Sequence, residues 1–193
     1  MLCLPAAAEQ TDRNKPMTLE SDQPCTVNLL KQTSSCSGRV VISQGTLVIR
    51  ADRIEVRETP EGYQMAVAIG SEGRPASYRQ RRDGVDEHVE GLAQRIEYDS
   101  RANTLRFEGQ AAVRRLRGTA LADEIQGNLI LWDNVAELFT VQGGAATPSN
   151  PGGRVRAVLS PRQAPASATG DSAASAAAAA PALRPTPALG DRR

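Results

Sequence analysis

Apolar and polar side chains alternate along most of this chain with a period of two residues. The alternation is clearest over residues 47–52, 104–108 and 138–142, where every second side chain is apolar. Strict alternation is typical of a β-strand with one buried face and one solvated face. Turn-forming residues such as Gly62 and Gly118 recur at short intervals, and no stretch shows a helical stripe. The pattern therefore predicts an all-β domain built as a sandwich, a jelly roll or a barrel.

Two features of the pattern repeat along the chain. Tyr98-Asp99 and Trp132-Asp133 are each followed, at the same distances, by alternating apolar residues and a glycine. The pattern Ala-x-x-Ile begins at Ala51, Ala93 and Ala122, and the parity of the apolar positions changes within each copy. A side chain changes face within a strand only at a bulge or a corner. The repeats predict similar β-hairpins stacked along one axis around a continuous interior.

Composition and charge limit the classes of partner. The formal net charge of the 193-residue chain is +1, so its overall charge does not indicate a nucleic-acid partner. Aromatic residues are scarce at 3% of the chain, which means that the core must consist mainly of Val, Ile, Leu and Ala.

The two ends of the chain differ from the alternating part. The opening residues, MLCLPAAA, end in an Ala-x-Ala pattern that signal peptidase accepts, but they lack a basic start and their apolar stretch is short. We interpret residues 1–15 as the remnant of a signal peptide and a leader, with an ordinary N-terminus as the alternative. Residues 162–193 are mostly Ala, Pro, Ser and Thr, which predicts a disordered tail. The folded domain is expected over residues 16–161.

The cysteines allow two interpretations. If Cys3 is removed with the signal peptide, Cys25 and Cys36 remain. An even pair in an exported protein favours a Cys25–Cys36 disulfide. The alternative is a pair of reduced, half-buried thiols. Their spacing matches no metal site.

The sequence offers little for catalysis. His88 is the only histidine, and no second His, Cys or carboxylate cluster has metal-ligand spacing around it. The carboxylate pairs Asp86-Glu87 and Asp123-Glu124 are adjacent, so on a strand their side chains point to opposite faces. The sequence therefore predicts a protein that is not an enzyme and needs no metal or cofactor.

Several segments carry a resemblance to a known family. The chain resembles the OstA-like family in residues 16–22 (PMTLESD) and 38–54 (GRVVISQGTLVIRADRI), although Arg39 stands where the family usually has Asn. Further matches are residues 73–78 (GRPASY), residues 89–93 (VEGLA) and the late apolar stretch 155–161. The resemblance covers residues 16–161, and its spacing over that length makes it specific.

The resemblance implies a fold and a site. It implies a twisted antiparallel β-jelly roll whose two sheets form a V around an apolar groove. From alternation alone, the inward apolar side chains are equally well explained as plain core; in the family fold, part of the set would line the groove and bind lipid. The candidates are Met17, Leu19, Leu47, Ile49, Ile54, Tyr78, Tyr98, Leu105, Phe107, Leu131, Phe139 and Val141.

The resemblance also implies a function. A protein of this kind would be a periplasmic carrier that holds the acyl chains of lipopolysaccharide and passes the lipid from the inner to the outer membrane during outer-membrane biogenesis. It would join end to end with copies of itself. An inner-membrane-anchored homologue would bind at one end, and an outer-membrane assembly barrel protein at the other. The alternatives are a structural β-repeat scaffold of the periplasm without a lipid ligand and, less in keeping with the few aromatics, a carbohydrate-binding sandwich.

Two groups of arginines also allow two interpretations. Residues 79–82 contain three arginines, and so do residues 114–117. Charged side chains at strand edges discourage aggregation, which is a structural explanation. Arginine also pairs bidentately with phosphate, which favours contacts to lipid phosphates. The candidates for such contacts are Arg79, Arg81, Arg114 and Arg115.

Overall fold

The computed structural model describes residues 12, 15–82, 85–145 and 152–161. This part of the chain forms twelve β-strands, and each pairing between them is antiparallel. The strands are β1 (Thr18–Glu20), β2 (Thr26–Asn28), β3 (Thr33–Gln44), β4 (Leu47–Glu58), β5 (Gln64–Ile69), β6 (Ala76–Arg81), β7 (Glu87–Ala93), β8 (Arg95–Asp99), β9 (Thr104–Arg117), β10 (Ala120–Asp133), β11 (Leu138–Gln142) and β12 (Arg156–Leu159).

The four longest strands change partners along their length. Strand β4 pairs with β6 through residues 48–50 and with β5 through residues 53–58. Strand β9 pairs with β8 through residues 104–108 and with β7 through residues 112–117. Strands β3 and β10 divide in the same way. One half of each long strand therefore belongs to one sheet and the other half to a second sheet.

The two sheets face each other and share these long strands. Sheet I has the strand order β2-β3-β4-β5-β8-β9-β10-β11, and sheet II has the order β1-β3-β4-β6-β7-β9-β10-β12. The edges β1 and β2 lie at one end of the stack, and β11 and β12 lie at the other. This arrangement is a twisted antiparallel β-jelly roll of stacked hairpins, which confirms the predicted fold class.

The strands cross between the sheets at corners with an unusual backbone. In β3 the register shifts between Ser37 and Val40, and Gly38 and Arg39 have φ values of 78° and 49°. In β9 the corresponding pair, Gly109 and Gln110, has φ values of 80° and 50°. Two successive left-handed residues turn the strand and reset which side chains point inward, and the first position favours glycine because it lacks a Cβ.

The Ala-x-x-Ile pattern predicted two of these corners. After Ala51 strand β4 exchanges β6 for β5, and after Ala93 the chain passes from β7 in sheet II to β8 in sheet I. The third copy lies at a bulge and not at a corner between sheets. Ala122 lies at a bulge within the part of β10 that stays in sheet II, and β10 crosses to sheet I later, at the register shift between Gly127 and Leu129.

The corners lie along one long edge of the sandwich, and the hairpin turns lie along the other. The turns β3–β4, β6–β7 and β9–β10 end sheet II, and the turns β2–β3, β4–β5, β8–β9 and β10–β11 end sheet I. We call the gap between these two rows of turns the mouth. The mouth is the side on which no strand joins the sheets within the described residues.

Parts of the predicted domain organisation fall outside the described residues. These are the leader, apart from Asp12 and Lys15, and the tail over residues 162–193. Asp12 is buried and contacts the rim of sheet II through Thr46 and Gln80, so contacts to the domain begin before residue 16. Among the residues described, no helix has the length and apolar character needed to cross a membrane.

Cys25 and Cys36 form a disulfide in this structure, with their Cα atoms 4.3 Å apart. Cys36 is buried in β3, and Cys25 directly precedes β2. The pairing of β2 with β3 places the two cysteines in the next register step after Thr26 and Ser35. The disulfide therefore closes the base of the first hairpin of sheet I.

The centre of the interior is closely packed around a glycine. Gly91 on β7 lies between Tyr78 on β6 and Val113 on β9 in the register of sheet II. A Cβ on Gly91 would lie 2.1 Å from Cε1 of Phe107, which reaches over from sheet I. Interiors packed at this density respond to a single added methyl group. Gly91 therefore allows the two sheets to approach each other at Phe107.

We expect Gly91→Ala to destabilise the domain by about 1–3 kcal/mol, because the added methyl group overlaps the Phe107 ring. Phe107→Leu removes the ring atoms that meet this methyl group. The double variant should therefore be more stable than the sum of the two single effects predicts. Urea unfolding of the wild type, both single variants and the double variant measures the coupling. Strictly additive effects would show that the ring and Gly91 do not contact each other.

Candidate functional site

The space between the two sheets is the candidate site, and most of the predicted lining residues point into it. Leu47, Ile49, Ile54, Tyr78, Tyr98, Leu105 and Phe107 are buried, and Met17, Leu19, Phe139 and Val141 are partly buried and packed against this core. The structure thus brings eleven of the twelve predicted apolar residues to one interior. Alternation along each strand accounts for this placement.

Aromatic rings join the two sheets across the interior. Tyr78 of sheet II meets Phe107 and Trp132 of sheet I edge to face, with ring centroids 5.9 Å and 6.0 Å apart. Trp132 stacks on Phe139 with centroids 5.4 Å apart. Such contacts add to the stabilisation that burial gives. Phe107 is 0% exposed and Tyr78 1% exposed, so side chains fill the centre of the predicted groove in this structure.

The interior is less closed at the two ends of the stack. Met17 and Leu19 lie beside β1 and on it, and both are only partly buried. At the other end Phe139 and Val141 of β11 are also partly buried. The apolar interior therefore reaches both ends of the jelly roll, where edge strands bound it.

The prediction for Leu131 was wrong. Leu131 is 40% exposed and lies opposite Arg106 on the outer face of sheet I. Its neighbours Ile130 and Trp132 are buried and pair with Phe107 and Leu105. Residues 129–132 are all apolar, so alternation gives no parity there. The register shift between Gly127 and Leu129 decides which of them point inward.

Several buried residues of the interior were missed by sequence reasoning. They include Val40, Ile42, Ile96, Val113, Ile130 and Trp132. For Trp132 the signal was present, because the repeat pairs Trp132-Asp133 with Tyr98-Asp99 and Tyr98 was assigned to the interior. For Ile42 the signal lies in its cross-strand partner Ile49, which only the register shows.

The mouth of the interior is polar. The Asp12 carboxylate accepts hydrogen bonds from the backbone N–H of Thr46 at 2.9 Å and from Lys15 Nζ at 2.8 Å. Gln80 donates to the same carboxylate at 3.4 Å, and the Tyr78 hydroxyl donates to Gln80 Oε1. Below these groups a cavity of about 10 Å³ reaches from Gln80 in sheet II to Asn103 in sheet I. Polar contacts therefore cap the apolar interior.

A second part of the mouth is a network of ion pairs around Glu87. The Glu87 carboxylate lies 2.8 Å from Arg82, 3.3 Å from Arg117 and 3.6 Å from Arg115. Arg115 also pairs with Asp123. Burial alone would raise the pKa of Glu87. The hydrogen bonds from Arg82 and Arg117 and the charge of Arg115 outweigh burial and hold that pKa below its ordinary value.

Three of the four predicted phosphate-contact arginines lie away from this interior. Arg79, Arg81 and Arg114 are exposed on the outer face of sheet II. Arg79 pairs with Glu90 at 3.2 Å, and Arg114 pairs with Glu124 at 2.6 Å. Arg115 has the parity of the buried Val113 and belongs to the inner face at the mouth.

Residues 18–137, more than half of the chain, match the family described as "LptA/(LptD N-terminal domain) LPS transport protein". The chain belongs to this family. The match covers β1 to β10 and therefore most of both sheets, including the corners.

Individual relatives agree with the family match. The chain is 28% identical over 160 residues to the lipopolysaccharide export system protein LptA of Escherichia coli, covering 83% of this chain and 79% of that protein. It is 26% identical over 158 residues to LptA of Haemophilus influenzae, covering 82% and 84%. The fold resembles the crystal structure of LptH from Pseudomonas aeruginosa, described as the LptA homologous periplasmic component of the lipopolysaccharide transport device. The TM-score is 0.65 at 19% identity, covering 78% of this chain and 99% of LptH.

The interior and its mouth are built from apolar side chains and ion pairs. In the part of the chain that the structure describes, no group of three or more His, Cys, Asp or Glu side chains could hold a metal ion. The proteins named in these comparisons are transport and export proteins. What this member of the family offers is a long apolar interior with a polar, charged mouth.

We expect the Glu87 network to make the domain less stable in acid. The folded-state pKa of Glu87 is lowered, so its contribution to stability is present above the ordinary glutamate pKa of about 4.3 and is lost as the pH falls through the lower, folded value. Glu87→Gln should cost about 1–3 kcal/mol at neutral pH, because it leaves partly buried arginines unpaired.

Urea unfolding of the wild type and of Glu87→Gln between about pH 7 and about pH 3 checks this expectation. The difference in unfolding free energy between the two proteins should shrink as the pH falls. The matched control is Glu97→Gln, which removes a carboxylate from an ion pair with Arg95 on the outer face of sheet I. A difference that stays constant over the whole range would contradict the assignment.

Proposed function

We propose that this protein is a non-enzymatic periplasmic carrier that binds the acyl chains of lipopolysaccharide between its two sheets. The observation that supports this most directly is the continuous apolar interior, which reaches from β1 to β11 and is covered along one side only by polar contacts at the mouth. Apolar chains are bound where they can be removed from water over a long contact area. Members of the matched family are described as LPS transport proteins.

The packed centre of the interior requires the sheets to separate when lipid binds. Tyr78, Phe107 and Trp132 occupy the space that acyl chains would take. The sheets are joined by continuous strands at the corners and by side-chain contacts at the mouth. Separation therefore occurs at the mouth, where non-covalent contacts alone need to break. Of the predicted phosphate contacts, Arg115 lies at the mouth, whereas Arg79, Arg81 and Arg114 would serve an anion on the outer surface.

End-to-end assembly is part of the proposal. Within the described residues, β1 and β2 bound the stack at one end and β11 and β12 at the other. An edge strand offers unpaired backbone groups that can pair with a strand of another protein. Copies of this chain, an inner-membrane-anchored homologue and an outer-membrane assembly barrel protein are the partners we propose. Such a chain of jelly rolls would carry the lipid from the inner to the outer membrane.

A second candidate function has one observation in its favour. A structural β-repeat scaffold without a lipid ligand needs a filled interior, and the buried aromatic cluster provides one. The two functions differ in whether lipopolysaccharide reaches the inner face of the sheets.

Photo-crosslinking in cells that make lipopolysaccharide tests the proposal. Phe139 is replaced by p-benzoylphenylalanine, because it is aromatic, partly buried and on the inner face. The matched control carries the same residue at Leu131, on the outer face of the neighbouring strand β10. We expect crosslinks to lipopolysaccharide from position 139 and few or none from position 131. A folded protein that gives no crosslink from position 139, or equal crosslinks from both positions, would favour the scaffold.

A further inference from the structure

One ion pair joins the two rims of the mouth. Arg82 follows β6 in sheet II, and Glu137 lies in the β10–β11 turn of sheet I. Their side chains meet at 2.6 Å, with Arg82 Nη2 donating to Glu137 Oε1 across 55 residues of sequence. Arg82 is 24% exposed and Glu137 54% exposed, so the pair lies at the boundary between the interior and water.

The carboxylate of Glu137 balances one positive charge on the rim of sheet II. In the ion-pair network on the rim of sheet II, three guanidinium groups (Arg82, Arg115 and Arg117) face two carboxylates, those of Glu87 and Asp123. Glu137 supplies the third carboxylate from the opposite rim. When the mouth opens, Arg82 keeps its bond to Glu87 and loses Glu137. The rim of sheet II then holds one guanidinium more than carboxylates within this network.

A second observation shows that one N–H group on the rim of sheet II has no hydrogen-bond acceptor. Nε of Arg115 is buried and has no hydrogen-bond partner within the described structure. Burial of a polar group without a partner is unfavourable, so such groups are normally bonded. A group with several acceptor oxygens could satisfy more of the guanidinium N–H groups on this rim than the single carboxylate of Glu137 does.

We propose that the Arg82 guanidinium binds a phosphate group when the mouth is open. When the mouth is closed, the carboxylate of Glu137 occupies the position of this phosphate. The inference rests on the proposed function, since it assigns the position of a ligand held between the sheets. The ligand is an amphiphile whose phosphate group lies at the mouth while its acyl chains lie in the interior. A phosphate carries more negative charge than a carboxylate and three acceptor oxygens, and arginine binds it bidentately. Phosphate therefore displaces Glu137, whereas a neutral headgroup does not.

Two variants separate the closing contact from the phosphate contact. Glu137→Gln removes the competing charge and leaves Arg82 in place; because Glu137 is half exposed, the fold should tolerate the change. Arg82→Gln removes both contacts. The outer-face pair Arg95 and Glu97 gives the matched controls, Glu97→Gln and Arg95→Gln. Circular dichroism and thermal unfolding check that each variant is folded.

Binding is measured with purified lipopolysaccharide, with the same lipopolysaccharide after chemical removal of its lipid A phosphates, and with inorganic phosphate alone. Glu137→Gln should bind both lipids more tightly, by about 2- to 5-fold, because opening no longer breaks an ion pair. Arg82→Gln should bind the dephosphorylated lipid more tightly by a similar factor. The same variant should bind intact lipopolysaccharide at least about 3-fold more weakly, because the phosphate contact is lost. The two control variants should match the wild type.

The change of sign for Arg82→Gln between the two lipids is the decisive result. If Arg82→Gln affects both lipids in the same direction, or if the control variants show the same changes, the phosphate site is refuted while lipid binding stands. If inorganic phosphate alone displaces Glu137, the wild type and Glu137→Gln should bind lipopolysaccharide with equal affinity in phosphate buffer. That result would assign the site to a free anion and overturn the lipid assignment. If the wild type binds neither lipid, the proposed function itself fails.

Discussion

Four strands of this chain belong to both sheets, and each must turn a corner while it stays hydrogen-bonded to its neighbours in both sheets. Strands β3 and β9 do so with a glycine followed by a second left-handed residue, at Gly38-Arg39 and Gly109-Gln110. Arg39 is a non-glycine residue in this conformation, which Asn tolerates better than most residues. Because the corners fix one edge of the sandwich covalently, the proposed separation of the sheets takes place at the mouth.

In the proposed function, opening of the mouth turns the packed interior into a groove. Its contacts are polar: Asp12 with Thr46 and Gln80, and the ion pairs around Glu87, which Arg82 extends to the half-exposed Glu137. Exposed ion pairs contribute little net stability, and their partners can be replaced by water or by other charges. Breaking the aromatic contacts of Tyr78 with Phe107 and Trp132 costs apolar burial, which acyl chains in the same place would restore.

Local pattern predicted the strands, the all-β fold class and most of the inward residues, because alternation and turn residues act over a few positions. The choice of a jelly roll among the all-β folds came from the resemblance to a known family. Local pattern failed for Leu131, where four consecutive apolar residues hide the parity and a bulge sets it. At Ala122 the pattern did not distinguish a bulge from a corner, since a bulge within one sheet and a corner between sheets have the same pattern. The contact between Arg82 and Glu137 spans 55 residues and two sheets, so no local pattern could indicate it. Among the four arginines predicted to contact phosphate, only Arg115 lies at the mouth. The sequence shows where arginines cluster along the chain but not which face of the sheet each of them occupies.

The width of the mouth, measured with and without lipid, tests this account most directly. Spin labels on unnatural amino acids at Ala102 in the β8–β9 turn and at Val85 before β7 would report it, since both residues are exposed on opposite rims. Pulsed electron paramagnetic resonance then gives the distance distribution between the labels. The account predicts a shift to longer distances when lipopolysaccharide is added, and no shift between two labels within one sheet. Lipopolysaccharide that is bound while the distance across the mouth stays unchanged would contradict it.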